Sequence, residues 1–224
     1  MKILRYILFP VVPIYYVVTW IRNVLYDLGL KKSKFYDFPV ICVGNLSAGG
    51  TGKTPMIEYL VRLLKDEYQL ATLSRGYKRR SKGFQLGNKD ATAKSLGDEP
   101  FQFYYKFGND IKVAVDSDRQ QGIYRLTNLN NPPKIILLDD AFQHRKVKAG
   151  FNIVLTTYTH PYYSDFVLPT GNLREPKNGV KRANAIVVTK CPKGLTESEK
   201  EAVIKRINPN ENQSIFFSYI DYSN

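Results

Sequence analysis

Cysteine is scarce here. Cys42 and Cys191 are the two in 224 residues, one inside an apolar run and the other just after one. They make no disulfide framework and fit a reducing compartment. Acid is scarce as well, with 20 Asp and Glu against 33 Lys and Arg, a formal net charge of +13. Such an excess points to a polyanionic partner: nucleic acid, an anionic membrane or a phosphorylated substrate. The basic clusters at residues 31–34, 78–82 and 145–148 are dispersed rather than arrayed along one helix. No DNA- or RNA-binding motif accompanies them, so nucleic acid is not an expected partner.

A long apolar run is also missing. A spanning helix needs roughly 20 apolar residues. The apolar stretch over residues 6–21 is shorter and contains Pro10 and Pro13. It lacks the small-residue cleavage site of a secretory signal. Thr19, Arg22, Asn23 and Asp27 fall at helical spacing on one face, and Tyr15, Tyr16, Trp20 and Tyr26 favour a headgroup zone. The stretch reads as an interfacial helix lying in a membrane surface. The alternative is a helix packed on the protein's own core. There is no internal repeat and no low-complexity segment.

What is present is a phosphate-binding loop. The apolar run 38–43 reads as a strand, residues 55–64 as a helix, and between them stands Gly49-Gly50-Thr51-Gly52-Lys53-Thr54. Glycines let backbone N–H groups close around phosphate oxygens, Lys53 reaches the β/γ-phosphates, and the Thr54 hydroxyl takes Mg²⁺. The strict pattern wants a glycine where Ser47 stands. Downstream, Ile135-Ile136-Leu137-Leu138 ends in Asp139-Asp140. A buried strand delivering carboxylates at its end is the Walker-B arrangement, in which an Asp holds Mg²⁺ beside the phosphates. Gln143 and His144 follow at the mouth of that site, Gln143 as a polar reader of substrate. Arg75, with Tyr77 and the cations after it, ends another strand and offers charge to an anionic ligand. Arg174-Glu175, between Gly171 and Pro176, reads as a substrate or metal contact. Thr189-Lys190-Cys191 ends a strand where GTPases place a guanine-reading Asn-Lys-x-Asp, and the Asp is missing.

Around these motifs, strands are expected at 69–74, 112–115, 135–138, 153–155, 185–188 and 214–220. Helices are expected at 98–107, 117–126 and 197–207, the last capped by Thr196. Continuous apolar strands between helices imply an α/β fold, a P-loop NTPase-like and mostly parallel sheet with helices on both faces. An apolar membrane-interface helix precedes it. At 43% hydrophobic, the chain can bury one substantial core. The expected organisation is a membrane-associated segment 1–36, a nucleotide-binding core 37–195, and the start of a second lobe over 196–224. Ending right after a strand, the chain reads as C-terminally truncated.

Taken in order, these stretches resemble the tetraacyldisaccharide 4'-kinase family of lipid A biosynthesis. The matching motifs are Val43-Gly44-Asn45, Gly49 to Pro55, Leu73-Ser74-Arg75-Gly76-Tyr77, Gly97-Asp98-Glu99-Pro100, Asp118-Arg119, Asp139-Asp140-Ala141-Phe142-Gln143-His144, and Leu168 to Pro176. The family accommodates Ser47, and Ala141 stands where it often has Gly. The resemblance implies an ATP- and Mg²⁺-dependent lipid kinase. It would phosphorylate the 4'-hydroxyl of an acylated glucosamine disaccharide 1-phosphate as a monomer on the anionic cytoplasmic face of the bacterial inner membrane. It puts Asp98 beside the acceptor hydroxyl, where an Asp is otherwise a helix cap or dipole partner. Arg119 would stabilise phosphate charge, with Thr54, Asp139 or Asp140 and Glu175 toward the metal. Arg75, Tyr77, Gln143, His144 and Arg174 would face the sugar phosphate. The family's partner histidine sits in a C-terminal lobe beyond residue 224, so neither His144 nor His160 is that residue. The rival expectation is a membrane-associated nucleotide switch regulating a partner.

Overall fold

The computed structural model describes residues 8–219 and 221. The elements in chain order are α1 (Val12–Asp27), β1 (Val40–Asn45), α2 (Lys53–Leu64), β2 (Leu70–Ser74), β3 (Gln85–Leu86), α3 (Ala93–Leu96), α4 (Asp98–Phe107), β4 (Lys112–Val115), α5 (Arg119–Thr127), β5 (Ile135–Asp139), β6 (Phe151–Thr157), β7 (Ala185–Thr189), α6 (Glu197–Ile207) and β8 (Ser214–Phe217). Residues 6, 7 and 220 of the expected elements lie outside the described residues. The chain groups into two compact units. One takes the N-terminal segment to Lys32, Gly44–Gly52 and the segment from Asn152 onward; the other takes Ser33–Val43 and Lys53–Phe151.

In the second of these, β4, β2, β5 and β1 run parallel, and the two-residue β3 pairs antiparallel with β4. Every residue of β2 and β5 is buried, as all-apolar strands covered on both faces require. The register sets Asp139 opposite Val43 and Ser74 opposite Val115. Chain segments carrying Arg75, Asp116 and Asp140 therefore leave the sheet at its C-terminal edge, where ligands of open α/β sheets bind.

In the other unit β6, β7 and β8 are parallel neighbours. Residues from 196 onward, expected to open a separate lobe, supply α6 and then β8 on the edge of β7. Thr196 caps α6 through a reciprocal capping box with Glu199. Helix α1 turns its polar stripe inward. Thr19 and Asn23 are its buried residues, while Ile14 and Val18 are 64% and 61% exposed. The helix is amphipathic with its apolar side outward. Among the described residues, no helix is long and apolar enough to cross a membrane.

Candidate nucleotide and metal site

The loop between β1 and α2 is built by its glycines and by side chains that hold its carbonyls. Gly49 and Gly52 have φ of 128° and 91°, a region that L side chains rarely adopt. Asn45, at the end of β1, donates from Nδ2 to the Ser47 carbonyl at 2.6 Å and to Thr51 Oγ1 at 2.9 Å. The Ala48 N–H donates to the Asn172 carbonyl at 2.7 Å, and Ser47 bridges to Leu173. Helix α2 begins at Lys53 itself, so the loop passes straight into a helix N-terminus, where unpaired N–H groups and the dipole favour an anion.

In the unit that starts again at Lys53, six side chains form an electrostatic cluster. Lys53 Nζ stands 3.7 Å from Asp140 Oδ1, and Thr54 Oγ1 donates to Glu99 Oε1 at 3.2 Å. Asp139 is 5% exposed, and its Oδ1 has no hydrogen-bond partner. Burial raises its carboxyl to about 7; Glu99 and Asp140 push the same way, against Lys53 and Arg119. Asp140 follows in a left-handed conformation, φ 48°, its N–H donating to the Val43 carbonyl at 3.0 Å. Arg119 is 3% exposed, and its Nη1 donates to the Asp116 and Ser117 carbonyls at 3.1 and 3.2 Å. Burial lowers its pKa, while Asp139 and Asp140 act to raise it.

Asp139 has the chemistry of a magnesium ligand. It is a buried carboxylate with an unsatisfied hard oxygen, next to a second carboxylate. Among the described residues no group of three or more His, Cys, Asp or Glu is arranged to hold a metal ion. Mg²⁺ does not need one, since it is usually held by one or two carboxylates plus substrate phosphates and waters. The residues fit the ion.

Asp98 is the first residue of α4, and Gly97 holds the N-cap position without any side-chain cap bond. Asp98 is exposed, so the capping role weighed against a chemical one is not what this side chain does. Asp118 is the cap of α5, accepting from the Gln120 and Gln121 N–H groups, which leaves Arg119 to turn inward. Arg75 and Tyr77 are exposed beyond β2, and the Arg75 charge is felt at Arg119. Gln143 and His144 are half-buried in the turn after Asp140, where the His144 N–H donates to the Ala141 carbonyl at 2.8 Å.

Glu175, expected toward the metal, lies in the other unit. The carboxylate is 2% exposed and accepts from Arg182 Nη2 at 2.9 and 3.0 Å and from Asn23 Nδ2 at 2.7 Å. Both oxygens are engaged by a cation and an amide. Arg174 lies in the same unit; its carbonyl accepts from Tyr15 Oη at 2.9 Å and its N–H donates to the Leu46 carbonyl. The segment 174–175 thus clasps the polar face of α1.

Sequence reasoning passed over Glu99 and Asp116. Asp116 follows the apolar strand β4 as Asp139 ends β5, so the same signal could have found it. Glu99 could have been found as the acid beside Asp98.

A mostly parallel α/β fold, a glycine-rich loop entering a helix at Lys-Thr, and an acidic pair ending a buried strand define a phosphate-loop nucleotide-binding protein. The model of the tetraacyldisaccharide-1-P 4'-kinase (LpxK) family matches residues 4–217. The chain is 58% identical over 222 residues to the tetraacyldisaccharide 4'-kinase of Flavobacterium johnsoniae and 59% over 226 residues to that of Flavobacterium psychrophilum. Each alignment covers 99% of this chain and 65% of the relative. The crystal structure of LpxK from Aquifex aeolicus in complex with ATP matches with a TM-score of 0.75 at 33% identity, over 98% of this chain and 83% of that one. The chain belongs to the tetraacyldisaccharide-1-P 4'-kinase family, and it spans 65% of the length of the two Flavobacterium relatives.

Proposed function

We propose that this chain carries the nucleotide-binding machinery of an ATP- and Mg²⁺-dependent lipid kinase. The reaction is transfer of the ATP γ-phosphoryl group to the 4'-hydroxyl of a tetraacyl glucosamine disaccharide 1-phosphate. The observation that carries the reading is the cluster of Lys53, Thr54, Asp139 and Asp140 at the C-terminal sheet edge, directly after the glycine loop. Phosphoryl transfer asks mainly for positioning and charge neutralisation. Loop amides and Lys53 would hold the phosphates, and Asp139, Asp140 and Thr54 would hold the metal, which would supply charge neutralisation when bound. Asp98 accepts the hydroxyl proton. Arg119, buried behind the carboxylates, keeps positive charge against them, and Arg75 with Tyr77, Gln143, His144 and Arg174 addresses the anionic acceptor.

The outward apolar face of α1 supports a peripheral position on the anionic cytoplasmic face of the inner membrane. Ile14, Val17, Val18 and Ile21 are all exposed, and burying such a face at the acyl boundary is favourable. Net positive charge adds attraction to anionic lipid. Nothing in the fold favours a nucleotide switch, and the matched relatives are named as kinases.

The test is transfer of labelled γ-phosphate from ATP to the lipid disaccharide 1-phosphate in mixed micelles, using the full-length protein. Transfer should require Mg²⁺ and vanish in Lys53→Ala with the fold retained. ATP turnover indifferent to the lipid acceptor, or full transfer by a folded Lys53→Ala protein, overturns the proposal.

A further inference from the structure

Beside the phosphate loop lies a feature the kinase reading leaves unused: Thr189-Lys190, at the strand end where GTPases read guanine. The two side chains reach consecutive carbonyls of the loop. Lys190 Nζ donates to the Gly50 carbonyl at 2.7 Å, and Thr189 Oγ1 donates to the Thr51 carbonyl at 2.8 Å, sharing its proton with the Thr156 carbonyl at 3.2 Å. Lys190 has φ of 56°. A lysine in the left-handed region is disfavoured and persists only where its surroundings hold it. Here that turn ends β7 and lays an otherwise exposed side chain along the loop. Thr189 is buried, its carbonyl accepts from the Tyr158 N–H, and its side chain lies 3.8 Å from where a Cβ on Gly52 would stand.

A trans peptide points its C=O and N–H in opposite directions. Fixing the Thr51 carbonyl on Thr189 therefore fixes the Gly52 N–H away from β7. Fixing the Gly50 carbonyl on Lys190 does the same for the Thr51 N–H, which in turn closes on the Gly49 carbonyl at 3.1 Å. Without these anchors, a glycine-rich segment has little to stop its peptide planes from turning over, and a carbonyl facing the phosphate would repel it. We infer that Lys190, with Thr189, is a positioning residue that holds two peptide planes of the phosphate loop, locking the Thr51 N–H onto the Gly49 carbonyl and leaving the Gly52 N–H toward the nucleotide phosphates. The inference rests on the reading of this loop as the nucleotide site. It assigns Lys190 no contact with the phosphates.

Lys190→Met keeps the aliphatic stem and removes the donor, at a residue exposed enough to tolerate the change. Binding of ATP and of ADP, measured by calorimetry, should weaken together by about tenfold, the scale of one hydrogen bond from a charged group. The nucleotide-free unfolding midpoint should stay put, and Lys190→Arg should recover most of the affinity. Thr189→Val, matched in shape, is the second variant and should also weaken both nucleotides equally. Unchanged affinity in folded Lys190→Met and Thr189→Val proteins overturns the brace while leaving the nucleotide site intact. A loss for ATP far exceeding that for ADP also overturns it, because that pattern marks direct contact with the γ-phosphate. Failure of the wild-type protein to bind either nucleotide removes the phosphate-loop reading and the brace with it.

Discussion

Replacing Asp139 by asparagine separates what the carboxylate costs the fold from what it gives the metal. The group is buried at the end of β5, and its carboxyl is raised from an ordinary 3.8 to about 7. A folded pKa above the unfolded one means that the folded state holds its proton more tightly. The associated stability is fully present below pH 4, is lost as pH rises to about 7, and stays lost above. Each pH unit in that window is worth about 1.4 kcal/mol, so the whole interval withholds about 4 kcal/mol. Between pH 5 and pH 8 the wild-type protein should forfeit about 2–3 kcal/mol of it. Asparagine is neutral throughout, and the cost of burying its amide does not change with pH. The stability difference between variant and wild type should therefore move toward the variant by about 2–3 kcal/mol from pH 5 to pH 8. Urea unfolding in chelator-containing buffer reads this directly, provided the two proteins share an m value. Adding Mg²⁺ and ATP should reverse the advantage, since only the carboxylate gains the linked stabilisation. A difference that is flat across the pH range refutes the raised carboxyl and the buried, unsatisfied environment inferred for it.

Asp98→Ala should reduce kcat by about 10²–10⁴, the range of a lost proton acceptor. It should shift stability by less than about 0.5 kcal/mol, because Gly97, not Asp98, is the cap of α4. A fall of the unfolding midpoint with kcat unchanged would return Asp98 to a structural role. On the outer face of α1, the double change Ile14→Glu and Val18→Glu should abolish flotation with anionic vesicles while sparing the inward contacts of Tyr15 and Asn23. High salt should release the unaltered protein from such vesicles only partly, since apolar burial escapes the screening that weakens surface charge. Complete release by salt alone would rule out an embedded apolar face.

Where local chemistry decides an element, the sequence carried it to the residue. Helix α4 spans residues 98–107 as expected, because Gly97 and Gly108 flank an amphipathic run with acids in its first turn. Helix α6 begins after Thr196 for the same kind of reason, a side chain that satisfies the first free N–H groups. What escaped were elements too short to show a period. β3 is two residues and α3 is four, and each exists because neighbours or a capping box hold it. The partners that hold α1 escaped too. Periodicity reveals a polar and an apolar stripe, but only the distant partners Arg174 and Glu175 decide that the polar one turns inward. The same long range, 152 residues between Asn23 and Glu175, hid the fact that this carboxylate is already engaged.

Two acids show how far a motif can be read. Asp116 follows β4 and Asp139 ends β5, each an acid closing an apolar strand at one sheet edge, and the strand pattern does not distinguish them. The residues that come next do. After Asp116 the chain turns at once into a capped helix: the Asp118 N–H returns to Asp116 Oδ1 at 3.0 Å, and Arg119 folds back onto the Asp116 and Ser117 carbonyls. One carboxylate oxygen of Asp116 shapes the turn, and the backbone carbonyls there keep the guanidinium in place. After Asp139 comes Asp140 in a left-handed conformation, which binds its own N–H to β1 and points its carboxylate toward Lys53. Asp139 is left with a second acid beside it, a lysine just beyond, and an oxygen with no hydrogen-bond partner. Like charges gathered in a buried place oppose folding unless a cation offsets them. Asp116 Oδ2, like Asp139 Oδ1, is buried without a hydrogen-bond partner, so what sets the turn after β5 apart is the second carboxylate and the lysine beside it, a group of charges that a bound divalent ion would complete.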